Sequence, residues 1–145
     1  MDTEHYRKLE TMYLGANVNT KIFDTTTCKI EAEKATITLD ISKSYFHALG
    51  AIHGTVYFKM LDDAAYFAVS SVVKSCFMLT SSFNINILRP VSKGKLTAIG
   101  TVRYKSSSIF AAEAKLYNQE GKEVAFGTGN FAKSKLLLSE DVGYK

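Results

Sequence analysis

A single proline, Pro90, and no Gly/Ser-rich stretch leave the 145 residues without a sign of a linker or a second domain. Cysteine is nearly as sparse. Cys28 and Cys76 lie far apart with no metal or redox spacing, which excludes a disulfide scaffold and predicts two buried free thiols. No apolar run is long enough for a bilayer. The longest, 64–73, is broken by Tyr66, Ser70 and Ser71 and is bounded by Asp63 and Lys74, whereas a spanning helix needs about 20 apolar residues. The start, Met1-Asp2-Thr3-Glu4-His5, has no basic-then-apolar leader, so no membrane partner is expected and the cytoplasm is the expected location. Lys and Arg are spread out rather than gathered into a stripe. The net charge of +4 therefore argues against nucleic acid as a partner and suits at most a small polyanion. There is no internal repeat and no Gly-x-Ser-x-Gly elbow around Ser106-Ser107-Ser108, which excludes that type of serine hydrolase. His47 and His53, six apart with no cysteine joining them, do not form a zinc pattern, so no metal is expected.

What remains is an ordinary globular composition, 46% apolar and 22% charged, long enough for one real core. The spacing predicts a short helix over 4–12. Apolar/polar alternation then predicts strands over 28–33 and 35–41, followed by a loop over 42–52 that carries His47 and Gly50. Residues 54–73 form a long helix whose apolar side chains point nearly all round, the mark of a buried helix. Strands follow over 82–88, 96–104, 109–117 and 122–132, joined by turns at 92–95, 106–108 and 118–121, with a frayed tail from about 139. Short turns imply antiparallel neighbours. The expected fold is α+β, a curved antiparallel sheet wrapped around one long helix in a single domain over 1–145. One sheet covers one side of that helix, so the other side calls for a partner, and a homodimer is expected.

The chemistry gathers at the start of the long helix. Gly54 opens it after His53, and backbone N–H groups at a helix start are free to meet a developing negative charge. Asp62 follows eight residues later on an apolar helix, where a carboxylate is costly unless it is paired, protonated or used. The pair suggests an oxyanion site and a general base or nucleophile. Eight residues span about 12 Å at the helical rise, too far for both groups to reach one carbonyl carbon within one chain. If two such helices run antiparallel across a dimer, Gly54 of one meets Asp62 of the other, giving two composite sites. Asp63, about 100° round the helix, is expected to pair with Lys59 one turn back. His5 is expected at the surface.

His53-Gly54, the nine-residue step from that histidine to Leu61-Asp62, the Asn84-to-Pro90 strand and the closing Gly127-Thr128-Gly129-Asn130-Phe131 together resemble the hotdog-fold thioesterases of the PaaI type, over about residues 35–133. The resemblance implies cleavage of the thioester of an acyl-coenzyme A. Coenzyme A is then part of the substrate, and no separate cofactor is needed. It also implies an assembly of dimers, often paired into tetramers. By the same resemblance, Gly54 offers its N–H to the thioester carbonyl, and Asp62 acts as general base on water or as nucleophile. Thr80 places the water or the carboxylate, and His53 steadies the loop and the leaving sulfur. Arg103, Lys105, Lys93, Lys95 and Lys133 are available for coenzyme A phosphates. The sequence departs from the family at two positions. His47 stands where an Asn is common, replacing an amide with a titratable imidazole. Thr55 stands where a second Gly is common, placing a β-branched side chain at the helix mouth. These departures leave room for a non-catalytic acyl-CoA binding or sensing module. A hotdog dehydratase lacks its His-Phe-Pro loop here, since the sequence reads Phe46-His47-Ala48. A DNA-binding regulator has too few N-terminal residues for a helix-turn-helix.

Overall fold

The computed structural model describes residues 2–145. Helix α1, Thr3–Gly15, is capped by the Asp2 carboxylate, which accepts from the His5 N–H. A π-helical turn over Val18–Ile22 follows, an element without a periodicity signal of its own. Strands β1 (Thr27–Glu31) and β2 (Lys34–Asp40) form a hairpin, and helix α2, Gly54–Ser70, crosses next. Strands β3 (Cys76–Ile87), β4 (Lys95–Lys105), β5 (Ile109–Tyr117) and β6 (Glu123–Leu137) complete one six-stranded antiparallel sheet. Its order is β1-β2-β4-β5-β6-β3, so β1 and β3 are the edges. Every strand touches α2, which lies in the curve of the sheet as expected. No helix among the described residues is long and apolar enough to cross a membrane.

Small residues set how deeply the helix sits. Helix α2 packs on β4 and β5, and Ala64 and Ala65 of the helix, Ala98 and Gly100 of β4 and Ala112 and Ala114 of β5 are all buried. A Cβ on Gly100 would lie 2.2 Å from the Ala64 carbonyl oxygen, a clash with backbone that no rotamer relieves. Gly100→Ala is therefore expected to destabilise the fold by about 1–3 kcal/mol or more. A urea midpoint unchanged from wild type would contradict the close approach.

Several boundaries differ from expectation. Helix α2 stops at Ser70 instead of 73, because the Ser71 hydroxyl donates to the Ala68 carbonyl at 2.6 Å and accepts the Glu33 N–H at 2.8 Å. Helix α1 is longer than 4–12, strand β3 begins six residues earlier than 82, and β6 runs on to Leu137. The tail is ordered: a 3-10 turn over Glu140–Val142 leads to Tyr144, whose hydroxyl meets His5 Nδ1 at 2.7 Å. His5 is correspondingly not at the surface. It is 3% exposed, and its Nε2 donates to the Ser70 carbonyl at 2.8 Å, locking α1 to the end of α2. Partners 65 and 139 residues away leave no trace in local sequence.

Candidate active site

The start of α2 is held by backbone bonds before any side chain acts. His53 N–H donates to the Tyr45 carbonyl at 2.8 Å and Ile52 N–H to the Val91 carbonyl at 2.9 Å, and Phe46 bridges Ile52. His53 is the N-cap: its Nδ1 accepts the Thr55 N–H at 3.1 Å, and the Thr55 hydroxyl lies at the same distance. A ring nitrogen that accepts a backbone N–H carries no proton, so neutral His53 has its proton on Nε2. The Val56 N–H goes to the His53 carbonyl at 3.0 Å. Gly54 N–H is left without a partner among the described residues. A Cβ on Gly54 would meet only Ile87 Cδ1 at 3.7 Å, so packing within the chain does not demand a glycine here. His47 sits on the exposed loop before this point. Its N–H bonds the Ala51 carbonyl and its Nδ1 accepts the Leu49 N–H at 3.1 Å, an arrangement that closes a tight turn.

Two helical turns on, Asp62 faces β3. Thr80 Oγ1 donates to Asp62 Oδ1 at 3.0 Å, and one turn further the Tyr66 hydroxyl donates to the Met78 carbonyl at 2.8 Å. The strand delivers Thr80 through a β-bulge between Thr80 and Ser82. The extra residue lets Met78 and Thr80 face the helix on one side of it and Phe83 and Ile85 on the other. Glycines 127 and 129 of β6 open room for the Phe83 ring, which packs edge-on against Phe58 of α2 with centroids 5.5 Å apart. Burial pushes the Asp62 carboxyl up to about 6. The adjacent Asp63 charge adds to the shift, while the Thr80 hydrogen bond and Lys59 oppose it. Lys59 does not neutralise Asp62, because it pairs with Asp63 at 2.7 Å, as the one-turn spacing predicted.

Two features were not anticipated. The Asp63–Lys59 pair belongs to a wider circuit with Tyr13 of α1 and Asn19 of the π-helical turn. A cavity of about 700 Å³ also opens between α1, α2 and β3, with Asp62 and Thr80 in its wall. Both depend on how α1 docks, which periodicity does not encode. The basic residues lie elsewhere: Arg103 reaches Glu113 at 3.7 Å, Lys105 reaches Glu33 at 3.3 Å, and Lys133 lies over the Phe110 ring. No contact joins any of them to Asp62 among the described residues. No three His, Cys, Asp or Glu side chains there converge as a metal site would require. Both cysteines are free; Cys76 is buried, whereas Cys28 is only half-buried, and burial pushes the Cys28 thiol above its ordinary range.

In chemical terms the site offers an unpaired carboxylate of raised basicity beside an apolar cavity, and an open backbone donor at a helix start. Known proteins share the fold that carries it. The E. coli PaaI protein from the phenylacetic acid degradation operon superposes with a TM-score of 0.83 at 19% identity, covering 94% of this chain and 97% of that one. A mutant form of a Staphylococcus aureus thioesterase enzyme superposes with a TM-score of 0.73 at 17% identity, covering 81% of this chain and 98% of that one. A Saccharolobus solfataricus protein, named as a proposed esterase, is 23% identical over 125 residues, 86% of this chain and 89% of its own length. The thioesterase superfamily profile matches residues 49–125, just over half of the chain, from the loop before the His53 cap to the start of β6. This chain therefore belongs to the thioesterase superfamily, as a hydrolase of thioesterase type built on the PaaI-like hotdog fold.

Proposed function

We propose that the protein hydrolyses the thioester of an acyl-coenzyme A, with Asp62 as general base and the Gly54 N–H of a second subunit as oxyanion donor. The observation that carries this reading is the placement of Asp62. It is held by Thr80 through one oxygen, lacks a cation of its own and lies in the wall of an apolar cavity. The free oxygen, Oδ2, is left to take a proton from water. The water oxygen then bonds to the thioester carbon, negative charge gathers on the carbonyl oxygen at the Gly54 N–H, and collapse breaks the C–S bond. The thiolate leaves with the proton that Asp62 held. A carboxyl with a pKa near 6 is better matched to proton transfer near neutrality than an ordinary aspartate.

The second subunit is needed because Gly54 and Asp62 are separated by about 12 Å of helix. Strand β3 supports that assembly as an unpaired 12-residue edge with exposed Leu79 and Ile87, next to half-exposed Phe58 of α2. Lys133, with Arg103 and Lys105 released from their carboxylates, is proposed to meet coenzyme A phosphates, and His53 Nε2 to face the leaving sulfur. Thiol release from an acyl-CoA panel tests the reading. Turnover in wild type that is lost in Asp62→Asn supports it. Tight binding without turnover would instead mark a binding module.

The pH profile of kcat/KM carries the sign of each neighbour. Activity is expected to rise with pH through about 6 as Asp62 loses its proton. Asp63→Asn removes a like charge, so the acid limb moves to lower pH. Thr80→Val removes the hydrogen bond that favours the carboxylate, so the limb moves to higher pH. Shifts in the same direction would contradict this assignment.

A further inference from the structure

The cavity beside Asp62 is closed on one side by elements that sequence periodicity does not foresee. Ala16 ends α1, Val18 begins the π-helical turn, and both line the space together with Phe77 and Leu79 of β3. Its volume of about 700 Å³ lies within the roughly 300–1,000 Å³ of small-molecule sites. The polar groups gathered around Lys59 in its wall are engaged with one another. The three donors of Lys59 are spent on Asp63 Oδ2 at 2.7 Å, Asn19 Oδ1 at 2.8 Å and the Tyr13 hydroxyl at 3.1 Å. Tyr13 donates to Asp63 Oδ2 at 2.6 Å, and Asn19 Nδ2 donates to the Tyr13 carbonyl at 2.8 Å. The rings of Tyr13 and Phe23 flank the ammonium group at 5.1 and 4.9 Å. Among the described residues that line the cavity no cationic donor remains for a ligand, and Asp62 with Asp63 outweighs Lys59 in charge.

We infer that this cavity receives the acyl part of the substrate, that it selects uncharged apolar acyl groups over short or carboxylate-bearing ones, and that Ala16 and Val18 set its depth. The inference rests on the hydrolase reading above. An alkyl or aryl group moving from water to this wall gains by burial. A terminal carboxylate would lose its hydration against two aspartates with no free cation to meet it.

The test compares octanoyl-, phenylacetyl-, acetyl- and succinyl-CoA as substrates for wild type, Val18→Trp and Ala16→Phe. It also compares them as ligands of the same proteins carrying Asp62→Asn. Val18 is 40% exposed, and Ala16 is exposed with an extended backbone, so both positions accept a larger side chain without disturbing the core. Octanoyl and phenylacetyl thioesters are expected to exceed acetyl and succinyl by about tenfold or more in kcat/KM. The two filling variants should lose that advantage through a fall in octanoyl and phenylacetyl turnover. Whichever of octanoyl and phenylacetyl leads identifies the source of the apolar group as alkyl or aryl. Succinyl-CoA processed as well as octanoyl-CoA, or filling variants that leave the acyl preference intact, would overturn the inference. Selective binding of apolar acyl-CoAs without turnover in wild type would sustain the pocket and overturn the hydrolase reading.

Discussion

Asp62→Asn is expected to lose about 100- to 10,000-fold in kcat and at the same time to melt at a higher temperature than wild type. The two effects have one cause. The Asp62 carboxyl has its pKa raised to about 6, first by burial and then by Asp63, while the Lys59 ammonium that would oppose the shift is committed to Asp63. The folded protein therefore binds a proton at Asp62 more tightly than the unfolded chain does. The sign follows from linkage: there is no penalty well below the ordinary aspartate range, and stability is lost as pH rises through about 6. Near pH 7.5 the ionised carboxylate destabilises the fold by on the order of 1–3 kcal/mol, after discounting for its residual contact with water. An amide of the same shape removes that penalty and can still accept the Thr80 hydrogen bond. For a chain of this size the melting temperature should rise by roughly 2–8 °C near pH 7.5, and the gain should shrink towards zero at pH 4. A melting temperature lowered equally at both pH values would mean that Asp62 is a structural ion-pair residue.

Gly54→Pro is expected to lower kcat by about 100- to 1,000-fold, the effect of removing one oxyanion donor, while leaving the helix in place. Proline is usually a crude probe, but this position admits it. Gly54 is the first residue of α2, where proline is tolerated because its missing N–H has no helical partner. His53 before it has φ −66° and ψ 151°, the extended conformation that a pre-proline residue adopts. The nearest atom to a Cβ there, Ile87 Cδ1 at 3.7 Å, leaves room for the ring. Gly54→Ala keeps the N–H and should retain most activity wherever the substrate leaves room for a methyl group. Circular dichroism and the melting temperature should be unchanged in both variants. Wild-type turnover by the proline variant would remove Gly54 from the chemistry.

Much of this molecule is legible in its sequence. The apolar helix, the hairpin strands and the His53-Gly54 start with Asp62 two turns on are local patterns, and the structure has them in the expected order. What escapes is set by contacts distant along the chain or by a break in period. Strand β3 reads correctly from Phe83, Ile85 and Ile87 at odd positions. Its first half escapes because Met78 and Thr80 face the helix from even positions, and the bulge before Ser82 reverses the alternation. That bulge also aims Thr80 at Asp62, so the irregularity that hid the strand belongs to the site. His5 reads as a surface residue because Ser70 and Tyr144, its partners, are remote in sequence. Asp63–Lys59 was visible as a one-turn pair, whereas Tyr13 and Asn19 join it only once α1 and the π-helical turn have docked. The cavity follows from the same docking.

The central claim is that each active site takes Gly54 from one chain and Asp62 from another. Co-refolding Asp62→Asn with Gly54→Pro in equal amounts tests it most directly. Neither variant is active alone, but a hybrid dimer holds one site with an intact glycine from the first chain and an intact aspartate from the second. With random pairing, half the dimers are hybrids and half their sites are intact, so about one quarter of wild-type activity should return. Activity that stays at the level of the single variants, with hybrid dimers demonstrably formed, would contradict the composite site and place both residues in one chain's chemistry.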